Sequence, residues 1–207
     1  MKRSFIALLA VLSYSIAFTQ HRKQSSLEFY SLASGKTFPY RSGPTLAGDN
    51  VTPDGNGYYN VGVNYIKPLN KWLSVLGGVE FSNQKITTTY KYFPDPTGMP
   101  IVVTPLSYEK IQMFSFSVNV ETDFWKYFYA RSGFLIDAET KNNSSYFNNQ
   151  SGLGLNIEVG AKYSFKNHVT IFLSPFFEKH GAILFHPKQY AYKINNAGIN
   201  LGIGYKF

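Results

Sequence analysis

Apolar and polar positions alternate with period two over much of the chain, most clearly near its end. Ile199, Leu201, Ile203, Tyr205 and Phe207 fall on odd positions, and Asn200, Gly202, Gly204 and Lys206 fall between them. Successive strand residues point to opposite faces, so this segment has one greasy face and one small or polar face. A soluble sandwich strand also alternates, but it seldom sets such a row opposite two glycines. A strand with lipid outside and a crowded polar lumen inside requires this pattern.

The same rhythm recurs upstream. A weakly alternating strand is expected over Leu27–Ala33, followed by a loop from Gly35 to Gly57 that carries Pro39, Pro44 and Pro53. Tyr58–Ile66 sends Tyr59, Val61, Val63 and Tyr65 one way and Tyr58, Asn60, Gly62 and Asn64 the other. A turn at Lys67–Lys71 leads into a strand from Trp72 to about Thr89, and Lys91–Pro105 reads as a second long loop. Leu106–Thr122 and Tyr127–Glu139 flank a tight turn at Asp123–Lys126. In the second of these both faces carry apolar groups, and Arg131 decides between them. An arginine facing lipid near the midplane costs roughly 2–4 kcal/mol, more than enclosing Tyr129 or Leu135.

Thr140–Ser151 is a third loop, polar around Tyr146 and Phe147. Leu153, Leu155, Ile157, Val159, Ala161, Tyr163 and Phe165 then form one unbroken outward row. Lys166-Asn167 turns the chain into Val169, Ile171 and Leu173, where Pro175 predicts a bulge or an early end to pairing because proline lacks the ladder donor. Lys179–Ala191 is the last expected loop, and the final strand rises from about Tyr192.

The fold class expected is therefore all-β: an eight-stranded antiparallel up-and-down transmembrane β-barrel, with short turns at one end and long loops at the other. Tyr65, Trp72, Phe124, Trp125, Tyr127, Tyr163, Phe165, Tyr205 and Phe207 would form an aromatic girdle at the turn end. Tyr90, Tyr92, Tyr108, Phe177 and Tyr192 would form the other.

Composition agrees with this reading. Charged residues make up 15% of the chain and aromatics 17%, with 16 Tyr and 18 Phe, whereas charged residues average about a quarter of a soluble domain. Cysteine is absent, which excludes disulfides and thiolate metal sites. Net charge is +8, but the basic residues are scattered and match no nucleic-acid motif, so no nucleic-acid partner is expected. Residues 1–19 read as a signal peptide: Lys2-Arg3, an apolar run from Phe5 to Phe18, and a small-residue cleavage site at Ala17-Phe18-Thr19. Residues 20–207 would then be the barrel domain. Removing Lys2 and Arg3 lowers the charge to +6.

The closing strand, ending Tyr205-Lys206-Phe207, resembles the insertion signal recognised by the bacterial outer-membrane assembly machinery. With Asn70-Lys71-Trp72-Leu73-Ser74, Ala161-Lys162-Tyr163-Ser164-Phe165-Lys166-Asn167 and Gly198 to Phe207, the chain is similar to the PorT-like "outer membrane protein beta-barrel" family and to OmpA/OmpX-type architecture. That resemblance brings no catalytic residue; export to the outer membrane, contact with its lipid and lipopolysaccharide, a monomer and no cofactor are expected alongside it.

Three sets of residues carry candidate chemistry. Glu80, Glu121, Arg131, Glu158, Lys162 and Glu178 are expected inside the barrel, as a compensated polar plug or as a gated solute path. His180 and His186 are placed in an external loop, where with Glu178 they form a weak metal candidate. Lipid A-deacylating barrels use His-x-Ser, and the nearest matches, His168-Val169-Thr170 and His180-Gly181-Ala182, lack the site or the hydroxyl. Lys36, Arg41, Lys91, Lys141, Lys179 and Lys188 are candidates for contact with lipopolysaccharide phosphates. The leading expectation is a non-enzymatic barrel serving envelope integrity or surface interaction. A narrow channel or carrier and a lipid A-modifying or acyl-chain-binding barrel are the alternatives, and a soluble lipocalin-like barrel is the structural rival.

Overall fold

A computed structural model describes residues 24–41, 51–90, 104–143, 147–186 and 192–207. They form eight strands: β1 (Ser26–Arg41), β2 (Val51–Pro68), β3 (Leu73–Tyr90), β4 (Thr104–Phe124), β5 (Phe128–Asn142), β6 (Gly152–Ser164), β7 (Val169–Leu184) and β8 (Tyr192–Lys206). Each pairs antiparallel with its sequence neighbour, and β1 pairs with β8 from Ser26↔Lys206 to Arg41↔Tyr192, which closes the barrel. The signal-peptide reading of residues 1–19 lies outside the described residues.

The three short connections fall at one end, around Asn70, Trp125 and Asn167. Asn70 Oδ1 accepts from the backbone N–H groups of Trp72 (2.9 Å) and Leu73 (2.8 Å), which fixes the first turn. In the other two, Trp125 (φ 56°) and His168 (φ 68°) adopt the left-handed region, unusual for residues with a Cβ. The backbone of Phe207 donates to Ser25 O at 2.9 Å, so the two described ends meet at this same rim.

The strands run further toward the loop end than alternation predicts. Residues 35–41 and 51–57, expected as loop, belong to β1 and β2, and Lys179–Leu184 belongs to β7. Thr104, Pro105 and Thr140–Asn142 are likewise in strands. Toward that end both faces become polar, so the period-two signal fades although the ladder continues. Pro39 pairs with Ile194 and Pro53 with Thr88. Pro175 neither bulges β7 nor ends it. It pairs with Ile199 in unbroken register on the β8 side, while the β6 partners step from Ala161↔Leu173 to Glu158↔Phe176. The missing donor costs a short gap in one ladder only.

The outward row is exposed or half-buried, with Phe134 (63%), Leu201 (55%) and Phe207 (60%) among its exposed members, and Arg131 (2%) turns inward on β5 with Tyr129 and Leu135. This orientation rules out the lipocalin-like arrangement, which needs the apolar rows inside. At the turn end the aromatics touch in sequence: Tyr127–Tyr163 at 6.0 Å, Tyr163–Phe165 at 4.9 Å and Tyr65–Phe207 at 6.4 Å between ring centroids. The opposite girdle is less complete. Tyr108 and Phe177 face outward, but Tyr192 turns inward against Phe147 at 5.7 Å. The side chains of Tyr90 and Tyr92 lie outside the described residues.

The interior admits large rings where the wall carries glycine. A Cβ on Gly62 would stand 2.4 Å from the Tyr30 ring, and one on Gly202 would stand 2.2 Å from Phe172 Cζ. The glycines opposite the apolar row of the closing strand are thus seats for side chains of neighbouring strands.

Candidate functional site

The lumen is built in tiers. Near the turn end, Glu121 on β4, Arg131 on β5 and Glu158 on β6 are direct partners in register, because Glu121↔Arg131 and Arg131↔Glu158 are both ladder pairs. Arg131 donates from Nε to Glu121 Oε2 (2.7 Å), from Nη1 to Glu158 Oε1 (3.3 Å) and from Nη2 across the lumen to Glu28 Oε2 on β1 (2.6 Å). Its guanidinium carbon lies 4.5 Å from the centroid of the Tyr129 ring and 5.5 Å from that of Phe172. Tyr129 Oη donates to Glu158 Oε1 at 2.7 Å. Lys162 bridges Glu121 (2.6 Å) and Asp123 (2.5 Å). A planar guanidinium with several donors suits this many-sided ion pairing better than an ammonium does.

Further up, Glu80 Oε2 accepts from Tyr30 Oη (3.0 Å) and Asn60 Nδ2 (3.1 Å), and Glu178 Oε2 accepts from Tyr58 Oη (3.3 Å). His180, expected in a solvated loop, is instead fully buried on β7 and faces the lumen. Its Nδ1 lies 3.0 Å from Asp137 Oδ2, and its Nε2 lies 2.9 Å from Asn196 Nδ2 and 3.5 Å from Glu178 Oε2. Asp137 Oδ1 accepts from Ser115 Oγ at 2.7 Å, and Asn196 Oδ1 accepts from Thr37 Oγ1 at 2.9 Å. Among the described residues no hydroxyl is hydrogen-bonded to His180: Ser115 reaches its carboxylate partner Asp137 instead. His186 is exposed beyond the end of β7. Among the described residues no group of His, Cys, Asp and Glu has metal-binding geometry, so the weak Glu178–His180–His186 metal candidate is not assembled.

At the loop end the lumen is capped by an apolar cluster of Ile86, Ile111, Met113, Phe147 and Ile194, all essentially fully buried. Phe147 belongs to a segment expected as exposed loop, yet it bridges to Tyr192 and is 0% exposed. Gln150 holds this segment in place: its Nε2 donates to Asn148 O (2.7 Å) and Tyr192 O (3.2 Å), and its Oε1 accepts from Ile194 N (3.2 Å). At the turn end a cavity of about 740 Å³ opens, with Glu28, Glu121, Asp123, Lys162 and Lys206 in its wall.

All six charges expected inside are thus lumen-facing, in two groups. Glu121, Arg131, Glu158 and Lys162 share the lower network, while Glu80 and Glu178 belong to the upper one. Sequence reasoning left out Glu28 and His180, which complete them. Ile199, Leu201, Ile203, Tyr205 and Phe207 of the closing strand lie outward, and Lys206 lines the lower cavity and donates to Ser164 Oγ at 2.7 Å. Of the basic residues considered for phosphate contact, Lys36 pairs with Asp54 at 3.1 Å and Lys179 Nζ lies 5.8 Å from the Tyr40 ring centroid. Lys91 and Lys188 lie outside the described residues.

A solved structure with a TM-score above 0.5 shares the fold at low identity. The chain is similar to the outer membrane protein OprG from Pseudomonas aeruginosa, at 14% identity with a TM-score of 0.54, over 90% of this chain and 97% of that one. It is also similar to Ail, the attachment invasion locus protein of Yersinia pestis, at 14% identity with a TM-score of 0.47, over 89% and 98% of the two chains. No protein-family model matches the chain, and no curated protein sequence does. The resemblance to the PorT-like family therefore rests on the sequence motifs alone.

Proposed function

We propose that this chain is an integral outer-membrane β-barrel, exported through a cleaved leader, monomeric and non-enzymatic, whose wall and loops serve envelope integrity or surface interaction. The single observation that carries the blocked-lumen part is Arg131, bonded to carboxylates on β1, β4 and β6 at once. A side chain tied to both sides of the barrel fills the bore, and the Phe147 cluster closes the loop end. The exposed apolar belt with its aromatic rim supports residence in lipid. The occupied nitrogens of His180 support a structural role for the buried His180–Asp137 pair. Closing-strand recognition by the insertion machinery and contact of loop lysines with lipopolysaccharide belong to the same reading.

A second reading, a narrow channel or carrier for a small solute, draws on the 740 Å³ lower cavity and its charged wall. Planar-bilayer recording separates the two. The blocked barrel gives no steady conductance, and openings that change on Glu158→Gln or Arg131→Ala would sink it in favour of the channel.

A further inference from the structure

Below the Arg131 network the bore widens into the cavity of about 740 Å³ that opens at the turn end. The carboxylates in its wall are already matched by cations of the barrel itself. Glu28 and Glu121 pair with Arg131 at 2.6 and 2.7 Å, and Lys162 holds Glu121 at 2.6 Å and Asp123 at 2.5 Å.

The mouth carries further positive charge. Lys71, Lys126 and Lys166 line it, one from each short connection, and all three are exposed. Among the described residues no ion pair takes any of them. Lys126 Nζ stands 5.1 Å from the Tyr127 ring centroid, which holds that ammonium at the rim. Each lysine has an aromatic neighbour in its turn: Trp72, Trp125 and Phe165. Trp72 and Trp125 are exposed and line the same cavity.

A cleft whose rim carries one sign of charge draws in ligands of the other sign. The volume falls within the range of about 300–1,000 Å³ usual for small-molecule sites. The described lining residues include no arginine. An ammonium is a compact point charge suited to the concentrated charge of a phosphate group, whereas planar carboxylates favour the arginine fork. Beside the mouth the lipid-facing positions hold Tyr163, Phe165 and Phe207, while the three lysines border the open end of the bore. The matching ligand therefore enters from solution rather than from the bilayer. We infer that the turn-end cavity is a binding site for one water-soluble phosphorylated small molecule, its phosphates on Lys71, Lys126 and Lys166 and its remaining surface against Trp72 and Trp125. This rests on the outer-membrane, blocked-lumen reading, which makes the cavity a cup open to the periplasm.

The test is isothermal titration of tripolyphosphate into the full chain, held in zwitterionic, lipopolysaccharide-free detergent micelles. About 0.15 M NaCl screens exposed charges beyond roughly 8 Å and suppresses diffuse attraction. Trp72 and Trp125 are the two tryptophans of the chain, so a change in tryptophan fluorescence reports on the mouth. The expected result is saturable binding with that fluorescence change, at least tenfold weaker in the triple variant Lys71→Gln, Lys126→Gln, Lys166→Gln, and at least tenfold weaker for citrate. The triple variant Lys85→Gln, Lys141→Gln, Lys179→Gln removes the same charge from exposed positions toward the loop end and retains wild-type binding. Heat-modifiable electrophoretic migration shows which variants are folded, and the single lysine substitutions serve should the first triple variant not fold. No binding above empty micelles, equal loss in both folded triple variants, or citrate held as tightly as tripolyphosphate would overturn the inference. So would displacement of tripolyphosphate by phosphatidylglycerol in nanodiscs, which would make this a lipid-headgroup site. Steady planar-bilayer conductance with binding intact would count against the blocked lumen alone, so the two readings fail separately.

Discussion

Arg131 Nη2 lies 2.6 Å from Glu28 Oε2, so a guanidinium on the fifth strand is bonded to a carboxylate on the first, across the lumen. With Glu121 and Glu158 on the flanking strands, this one cation holds three carboxylates. Removing one partner of a buried charge set leaves the others unpaired, at a cost of about 3–5 kcal/mol. Arg131→Met is therefore expected to lose about that much stability in urea unfolding followed by the fluorescence of Trp72 and Trp125. Adding Glu28→Gln and Glu158→Gln to the same chain should recover much of the loss. A single variant as stable as wild type would show that the network contributes nothing net.

The seat at Gly202 gives a steric prediction. A Cβ there would meet Phe172 Cζ at 2.2 Å, and Phe172 in turn lies against the Arg131 guanidinium. Gly202→Val is expected to destabilise by roughly 1–3 kcal/mol, the usual cost of overpacking. Phe172→Ala in the same chain should relieve the clash, so the double variant falls short of the sum of the singles in a double-mutant cycle.

Left-handed backbone at His168 allows a test by residue type. At φ 68° a β-branched residue is strained, whereas asparagine is tolerated. His168→Val should cost about 1–2 kcal/mol, and His168→Asn should change stability by less than about 0.5 kcal/mol. Equal midpoints for the two in urea titration would refute the strain argument.

Phe207 separates assembly from stability. It is exposed at the aromatic rim, with Tyr65 as its ring neighbour at 6.4 Å. Phe207→Ala should lower the folded fraction recovered from outer membranes severalfold while shifting the urea midpoint of refolded protein little. Wild-type yield in cells would remove the main support for an insertion signal.

Much of this architecture was legible in alternation, because lipid and lumen impose opposite chemistries on alternate residues. Glu121 and Arg131 stand at equal distances either side of Lys126 in the turn, so their meeting could be read from the sequence. Glu28 could not, because its strand alternates weakly and its partner lies far away in the chain. His180 and Phe147 were missed for a related reason. Near the loop end the outward face includes Lys179, as polar as the lumen-facing His180, so the period that distinguishes the two faces disappears. A single aromatic among Asn, Ser and Gln gives no sign that it will fold inward.

Among the described residues the five register shifts, at Leu32/Ser34, Gly55/Gly57, Thr88/Thr89, Gln112/Met113 and Leu153/Leu155, all lie on the loop side of the Arg131 row. Each marks a place where the wall already accommodates an odd residue. Below that row, an inserted residue would swap every following side chain between lipid and lumen until the next turn. The two halves should therefore differ in how readily they accept insertions and deletions. Sequence drift in chain length, and any engineered graft, belongs on the upper side, where a change of one residue can be absorbed as one more bulge.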